Sequence, residues 1–168
     1  MNVRALSPWI VLKFGGTSVS SEPNWRSIAA TVRARLADGH RVLVVHSALS
    51  GVTDRLEKLL AAALSGQYDA PLAELQQRHH ELGAALGIEV QGALRPWFEA
   101  LRTACKEIAV AAEVTDRMRA LVMAHGELLA TEIGARYLAA QELPVAWLDA
   151  RTVLHAENRA AEIGRAHV

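Results

Sequence analysis

The apolar run Trp9-Ile10-Val11-Leu12 leads directly into Lys13-Phe14-Gly15-Gly16-Thr17-Ser18. A short buried strand that ends on two adjacent glycines lets its backbone N–H groups come close to a ligand, because no Cβ intervenes. Successive N–H groups of this kind form an anion-binding concavity. Lys13, at the strand exit, adds a compact positive charge suited to a phosphoryl group. The order of residues separates the motif from two common glycine signatures. A Walker A loop carries its lysine after the glycines, and a dinucleotide-binding turn needs Gly-x-Gly-x-x-Gly. Paired glycines are also ordinary turn punctuation, so the motif by itself leaves a phosphate loop and a plain turn both open.

The residues that follow alternate between strand and helix patterns. Ser21 and Pro23 mark a helix start. Trp25, Ile28, Val32 and Leu36 recur at three- and four-residue spacing and make one apolar face. Asp38-Gly39 ends that helix. Arg41–His46 contains Val42-Leu43-Val44-Val45, the continuous apolar run of a parallel strand covered on both faces. Residues 9–46 therefore read as a β-α-β unit. Ser47–Thr53 is a second loop rich in small and hydroxyl residues. Further helices are predicted from about Asp54 to Leu64, from Pro71 to Leu86 and from about Gly92 to Ala112. The region 66–124 reads as a helical insertion packed over the sheet. Thr115-Asp116 caps another helix, which His125-Gly126-Glu127 is expected to interrupt. Pro144–Leu148 reads as a third strand ending at Asp149-Ala150-Arg151. The predicted class is α/β, an αβα sandwich around a mostly parallel sheet.

Composition narrows the function. The 168 residues are 51% hydrophobic and 21% charged, which suits one globular domain or one lobe of a larger one. A net charge of zero and scattered arginines give no basis for nucleic-acid binding. No apolar stretch reaches membrane-spanning length, and the N-terminus lacks a secretory apolar segment. Cys105 is the one cysteine, so an intrachain disulfide is excluded. That usage fits a reducing, cytoplasmic setting, with Cys105 as a small core residue. His79 and His80 point to different helix faces and read as a solvated pair rather than metal ligands. Trp9, Trp97 and Trp147 read as core or partial-core residues. Asp149 and Arg151 follow a predicted strand, where α/β proteins place ligands. They also suit a local ion pair that pins the loop.

Four motifs in order carry a family resemblance: Lys13-Phe14-Gly15-Gly16-Thr17-Ser18, Ser47-Ala48-Leu49-Ser50-Gly51-Val52-Thr53, His125-Gly126-Glu127-Leu128 and Trp147-Leu148-Asp149-Ala150-Arg151. Together they resemble aspartate kinases of the amino-acid-kinase superfamily, over roughly Ile10 to Asn158. The opening also resembles the fused aspartokinase–diaminopimelate decarboxylase of some bacteria. The resemblance implies transfer of a phosphoryl group from ATP to L-aspartate, giving 4-phospho-L-aspartate, the first step toward lysine, threonine and methionine. Mg²⁺ is implied as the companion of ATP, and a homo-oligomer is implied for the full-length protein. By the same resemblance Lys13 contacts the transferring phosphate, with Phe14, Gly15 and Gly16 beneath the phosphates. Ser47 and Thr53 lie near the substrate, and Glu127 binds the amino group of aspartate. Two residues depart from the family pattern. His46 stands where a small or apolar residue is usual, and Asp54 where asparagine is common.

Elementary chemistry agrees with that activity. The β-carboxylate of aspartate has a pKa of about 3.9, so it is a ready nucleophile without a general base. Catalysis then reduces to positioning and charge neutralisation. Glu127 suits a substrate ammonium, or equally a favourable first-turn position in a helix. Another amino-acid kinase, such as a glutamate 5-kinase, and a non-catalytic amino-acid-binding module are the rival readings. In the family, a nucleotide-binding lobe with a Gly-Ser-Asp motif follows the region matched here. The chain is therefore expected to be the N-terminal, amino-acid-binding part of a catalytic domain, spanning residues 1–161, and inactive by itself. Glu162-Ile163-Gly164-Arg165-Ala166-His167-Val168 matches the translation of a nucleotide sequence that resembles a common sequencing-library adapter, and is expected to be a non-native tail.

Overall fold

The computed structural model describes residues 7–154, so the tail at 162–168 lies outside the described residues. Strands β1 (Trp9–Phe14) and β2 (Arg41–His46) pair in parallel, from Trp9 opposite Arg41 to Phe14 opposite His46. Helix α1 (Glu22–Ala37) joins them and completes the predicted β-α-β unit. Four helices follow among the described residues: α2 (Val52–Leu64), α3 (Asp69–Ala85), α4 (Gln91–Ala111) and α5 (Asp116–Ala140). No helix among them is long and apolar enough to cross a membrane.

Local chemistry sets the helix ends. Ser21 is extended at the start of α1 and Pro23 sits in its first turn, where a missing N–H costs nothing. At the other end the Gly39 N–H donates to the Leu36 carbonyl and the His40 N–H to the Arg35 carbonyl, each at 3.0 Å. This double closure needs a left-handed residue, and Gly39 supplies it with φ of 82°. Thr115 starts α5 by accepting the Met118 N–H on its hydroxyl at 3.2 Å.

The sheet is covered on one face. Leu12, Phe14, Val42 and Val44 point to the core, where α1 and α5 pack on β2. Trp9, Val11, Leu43 and Val45 point the other way and are exposed, Trp9 by 58% and Val11 by 60%. Alternation along each strand puts the odd-numbered residues on the open face. The expectation of cover on both faces is therefore corrected, and so is that of a core Trp9, whose ring instead lies 4.1 Å from the Arg41 guanidinium carbon. The second helical layer of the predicted sandwich is absent among the described residues.

Three other expectations change. Pro144–Leu148 pairs with neither strand. It lies on the helices, where the Trp147 indole N–H donates to Thr131 Oγ1 at 3.1 Å and its ring meets Trp97 at 5.8 Å. Trp97 and Trp147 are accordingly half-buried, as expected. Helix α5 runs unbroken through His125-Gly126-Glu127. Helix α2 begins at Val52 rather than Asp54.

The main core lies between α2, α3, α4 and α5 and includes the buried Leu59, Leu75, Leu101, Ile108 and Leu129. Cys105 is buried there, and burial pushes its thiol up to about 11, so it is inert packing. His79 is also in this core, contrary to a solvated pair, because it shares the α3 face of Leu72, Leu75 and Leu82. Its Nδ1–H donates to the Leu75 carbonyl at 2.8 Å and its ring meets Phe98 edge-on at 5.9 Å. Burial pulls its pKa down to about 4.

That depression fixes a pH dependence. The unfolded chain binds a proton near pH 6.5 that the folded chain refuses until about pH 4. The stability contributed by neutral His79 is complete above about 6.5, falls as pH drops through this window, and amounts to about 3 kcal/mol. Denaturant titrations from pH 7 to pH 4 should show a shallower loss in His79→Phe than in the unaltered protein. An unchanged slope would refute the buried, neutral assignment.

Candidate functional site

The candidate site lies at the carboxyl ends of the two strands, the usual ligand edge of a parallel sheet. The Ser47 N–H donates to the Phe14 carbonyl at 3.1 Å, so the two exit loops leave side by side. Gly16 sits where they meet. A methyl group there would stand 2.7 Å from the Ala48 carbonyl oxygen and 3.4 Å from the Ser50 nitrogen. The first loop then winds into a 3₁₀ turn at Thr17–Val19, with the Ser18 N–H on the Gly15 carbonyl at 3.0 Å. Ser20 closes it. Its hydroxyl donates to the Gly16 carbonyl at 2.6 Å and accepts the Ser50 N–H at 2.8 Å. Arg78 of α3 donates to the Ser20 carbonyl at 3.3 Å.

Helix α5 forms the floor. Glu127 Oε1 accepts the Ala48 N–H at 3.4 Å. Gly126, Ala130 and Gly134, one turn apart, make a stripe of small residues on the buried face. A methyl on Gly126 would lie 2.9 Å from Ala48 Cβ, and one on Gly134 would lie 2.4 Å from Trp25 Cη2. Trp25 is fully buried, and its indole N–H donates to the Val19 carbonyl at 2.8 Å. Its ring meets His46 edge-on at 5.4 Å and Tyr137 at 5.8 Å. The His46 Nδ1–H donates to the Ser47 carbonyl at 3.0 Å, the acceptor fixing which nitrogen carries the proton. Burial lowers the His46 pKa, and the Ser47 carbonyl and Glu127 carboxylate pull less strongly the other way. His125, whose Nδ1–H is on the Leu121 carbonyl at 2.8 Å, is held neutral by burial too.

Gly16 and Glu127 thus both meet Ala48, beside Ser47, whose N–H is held by the Phe14 carbonyl, with Gly15 in the same loop. Lys13 is exposed on the open sheet face, opposite Val45. Thr53 is exposed in the first turn of α2, just past the second loop. Neither bonds to the other site residues among the described residues. Glu127 lies midway along α5, which removes the helix-start explanation for it. Asp149 and Arg151 bond to each other, at 2.7 Å for the Nη2–Oδ2 pair. The guanidinium of Arg151 holds the Asp149 carboxyl below its ordinary range. No group of three or more His, Cys, Asp or Glu among the described residues is placed to hold a metal.

Sequence reasoning passed over Ser20, Arg78 and Gly134, and read Gly126 as a break in the helix rather than a packing contact. The glycines carried a signal, since small residues at 126, 130 and 134 share one helix face. Ser20 carried none, because a hydroxyl in a loop is unremarkable by itself.

A glycine-rich strand exit is thus paired with a second strand-exit loop and with a helix that carries Glu127. The amino acid kinase family model matches residues 8–166. The chain belongs to the amino acid kinase family. It is 32% identical over 153 residues to the chloroplastic bifunctional aspartokinase/homoserine dehydrogenase 1 of Arabidopsis thaliana, covering 87% of this chain and 17% of that protein. It is 30% identical over 150 residues to an aspartokinase of Chlamydia muridarum, covering 89% of this chain and 32% of that protein. Its fold matches E. coli aspartokinase III, solved with aspartate and ADP, with a TM-score of 0.69 and 24% identity. That match covers 91% of this chain and 33% of the other. The chain therefore spans a third or less of the length of these relatives.

The contact of α5 with Trp25 predicts a cost for added volume. Gly134→Ala should destabilise the fold by about 1–3 kcal/mol, the usual penalty for overpacking a filled core. Urea unfolding of the variant measures it, and a loss under about 0.5 kcal/mol would contradict the close packing of α5 on Trp25.

Proposed function

We propose that this chain is the N-terminal, amino-acid-binding part of an aspartate kinase, which moves the γ-phosphoryl group of ATP onto the β-carboxylate of L-aspartate. The observation that carries the reading is the convergence of the glycine loop, the Ser47–Thr53 loop and Glu127 on Ala48. The similarity to aspartokinases over 87–89% of the chain supports the substrate choice. So does E. coli aspartokinase III, whose solved form holds aspartate and ADP.

Each residue has a distinct part. Gly15 and Gly16, with Phe14 before them, offer backbone to the phosphates, and Lys13 neutralises the charge that develops on the moving phosphoryl group. Ser47 and Thr53 orient the aspartate. Glu127 is the counter-charge for its ammonium, already turned toward the second loop. The β-carboxylate attacks as it stands, so no side chain needs to remove a proton. Mg²⁺ accompanies the ATP phosphates, and the described residues provide no cluster of their own for it. The nucleotide base and ribose belong to the remainder of a full-length protein, which forms a homo-oligomer in the cytoplasm.

Full-length protein should form aspartyl phosphate, trapped as the hydroxamate, and should not accept glutamate or N-acetylglutamate at comparable rates. Equal turnover of glutamate would replace aspartate kinase by another amino-acid kinase. Lys13→Ala should lower kcat far more than it raises the KM for aspartate. A variant with near-normal kcat would remove Lys13 from the chemistry. Glu127→Gln keeps size but loses the counter-charge, so the KM for aspartate should rise about tenfold or more while that for ATP changes little. An unchanged aspartate KM would reduce Glu127 to a structural tie to Ala48.

A further inference from the structure

We infer that Ser20 is a positioning residue that sets the register between the glycine loop and the Ser47–Thr53 loop. Its hydroxyl has one proton and two lone pairs. The proton goes to the Gly16 carbonyl at 2.6 Å, and a lone pair takes the Ser50 N–H at 2.8 Å. The result is a directed chain, Ser50 N–H to Ser20 O–H to Gly16 carbonyl, in which each bond polarises the next. It spans the point where Gly16 already approaches the Ala48 carbonyl too closely for any other side chain. Arg78 secures the same turn from α3 by donating to the Ser20 carbonyl, so the helical insertion holds the clamp from outside. Ser20 touches neither of the proposed substrates' contact groups other than Gly16, and acts through backbone placement.

The two loops carry different substrates in the proposed reaction, so their register sets the distance between attacking carboxylate and phosphorus. Ser50 is exposed, and its freed N–H would be taken up by water. Loss of the hydroxyl should therefore loosen alignment more than it unfolds the chain. The kinetic part of this inference rests on the aspartate kinase reading, while the clamp itself does not.

The test uses full-length protein with Ser20→Ala and Ser20→Thr. In Ser20→Ala, kcat should fall about tenfold or more with both KM values within about twofold, because small misplacement acts on the chemical step. Ser20→Thr keeps the hydroxyl and should restore kcat to within about threefold of normal. Hydrogen exchange, read without substrates, should show the Ser50 amide exchanging about tenfold faster in Ser20→Ala and near-normally in Ser20→Thr. If the unaltered protein makes no aspartyl hydroxamate, the aspartate kinase reading fails, and the exchange result alone decides the clamp. Unchanged Ser50 exchange in Ser20→Ala would overturn the clamp. A folded Ser20→Ala protein with faster exchange and normal kcat would overturn its role in positioning.

Discussion

Close approach to the backbone, allowed where no Cβ intervenes, is the constraint on which the candidate site depends. Gly16 brings the first strand-exit loop against the Ala48 carbonyl, and Gly126 brings α5 against the side chain of the same residue. Gly134 then lets the Trp25 ring approach the helix closely while its indole N–H ties back to Val19, just past the glycine loop. Both strand exits, α1 and α5 are thereby joined around a contact only a few atoms wide. Interiors are packed densely enough that a single added methyl is felt. The placement of Glu127 beside the second loop follows from this packing, because the carboxylate rides on the helix turn that Gly126 seats.

The electrostatics of the site are arranged by the same contacts. His46, His79 and His125 are all buried and all held neutral by desolvation, each with Nδ1–H on a backbone carbonyl. His46 lies at the exit of β2, and the proposed site residues themselves include one basic and one acidic side chain, Lys13 and Glu127. Under the proposed reading the pair would serve a zwitterionic substrate and a phosphate. The sheet meanwhile presents Trp9, Val11, Leu43 and Val45 on an open face. Exposed apolar strands with unpaired edges favour association. That surface belongs to a chain that spans a third or less of the length of the relatives it matches.

Much of the fold was legible in the residues. The period of Trp25, Ile28, Val32 and Leu36, the proline at the start of α1 and the glycine after it located that helix to within a residue or two. The apolar runs located both strands. The four motifs, in order, led to the family. Misreadings had physical causes. A glycine inside a helix pattern ordinarily signals a break, yet in α5 it marks the closest packing contact. An apolar run signals a buried strand but not which faces are covered, so Trp9 and Val45 were placed in a core that the described residues build on the other side only. Two histidines on different helix faces suggest solvent for both, yet the face of His79 is the apolar one of Leu72, Leu75 and Leu82.

The sequence by itself determined the local structure, the family and the identity of the candidate site residues, because propensity, periodicity and motif order are properties of neighbours along the chain. Tertiary structure alone decided which of those residues meet. Ala48 and Glu127 are 79 positions apart, and Ser20 and Ser50 are 30 apart, yet each pair shares a hydrogen bond. Such contacts depend on how helices seat against a sheet, on volumes as small as a missing methyl, and on carbonyls left free by a turn. None of these is a function of local sequence, and it is at these contacts that the two strand-exit loops and the helix come together as the candidate site.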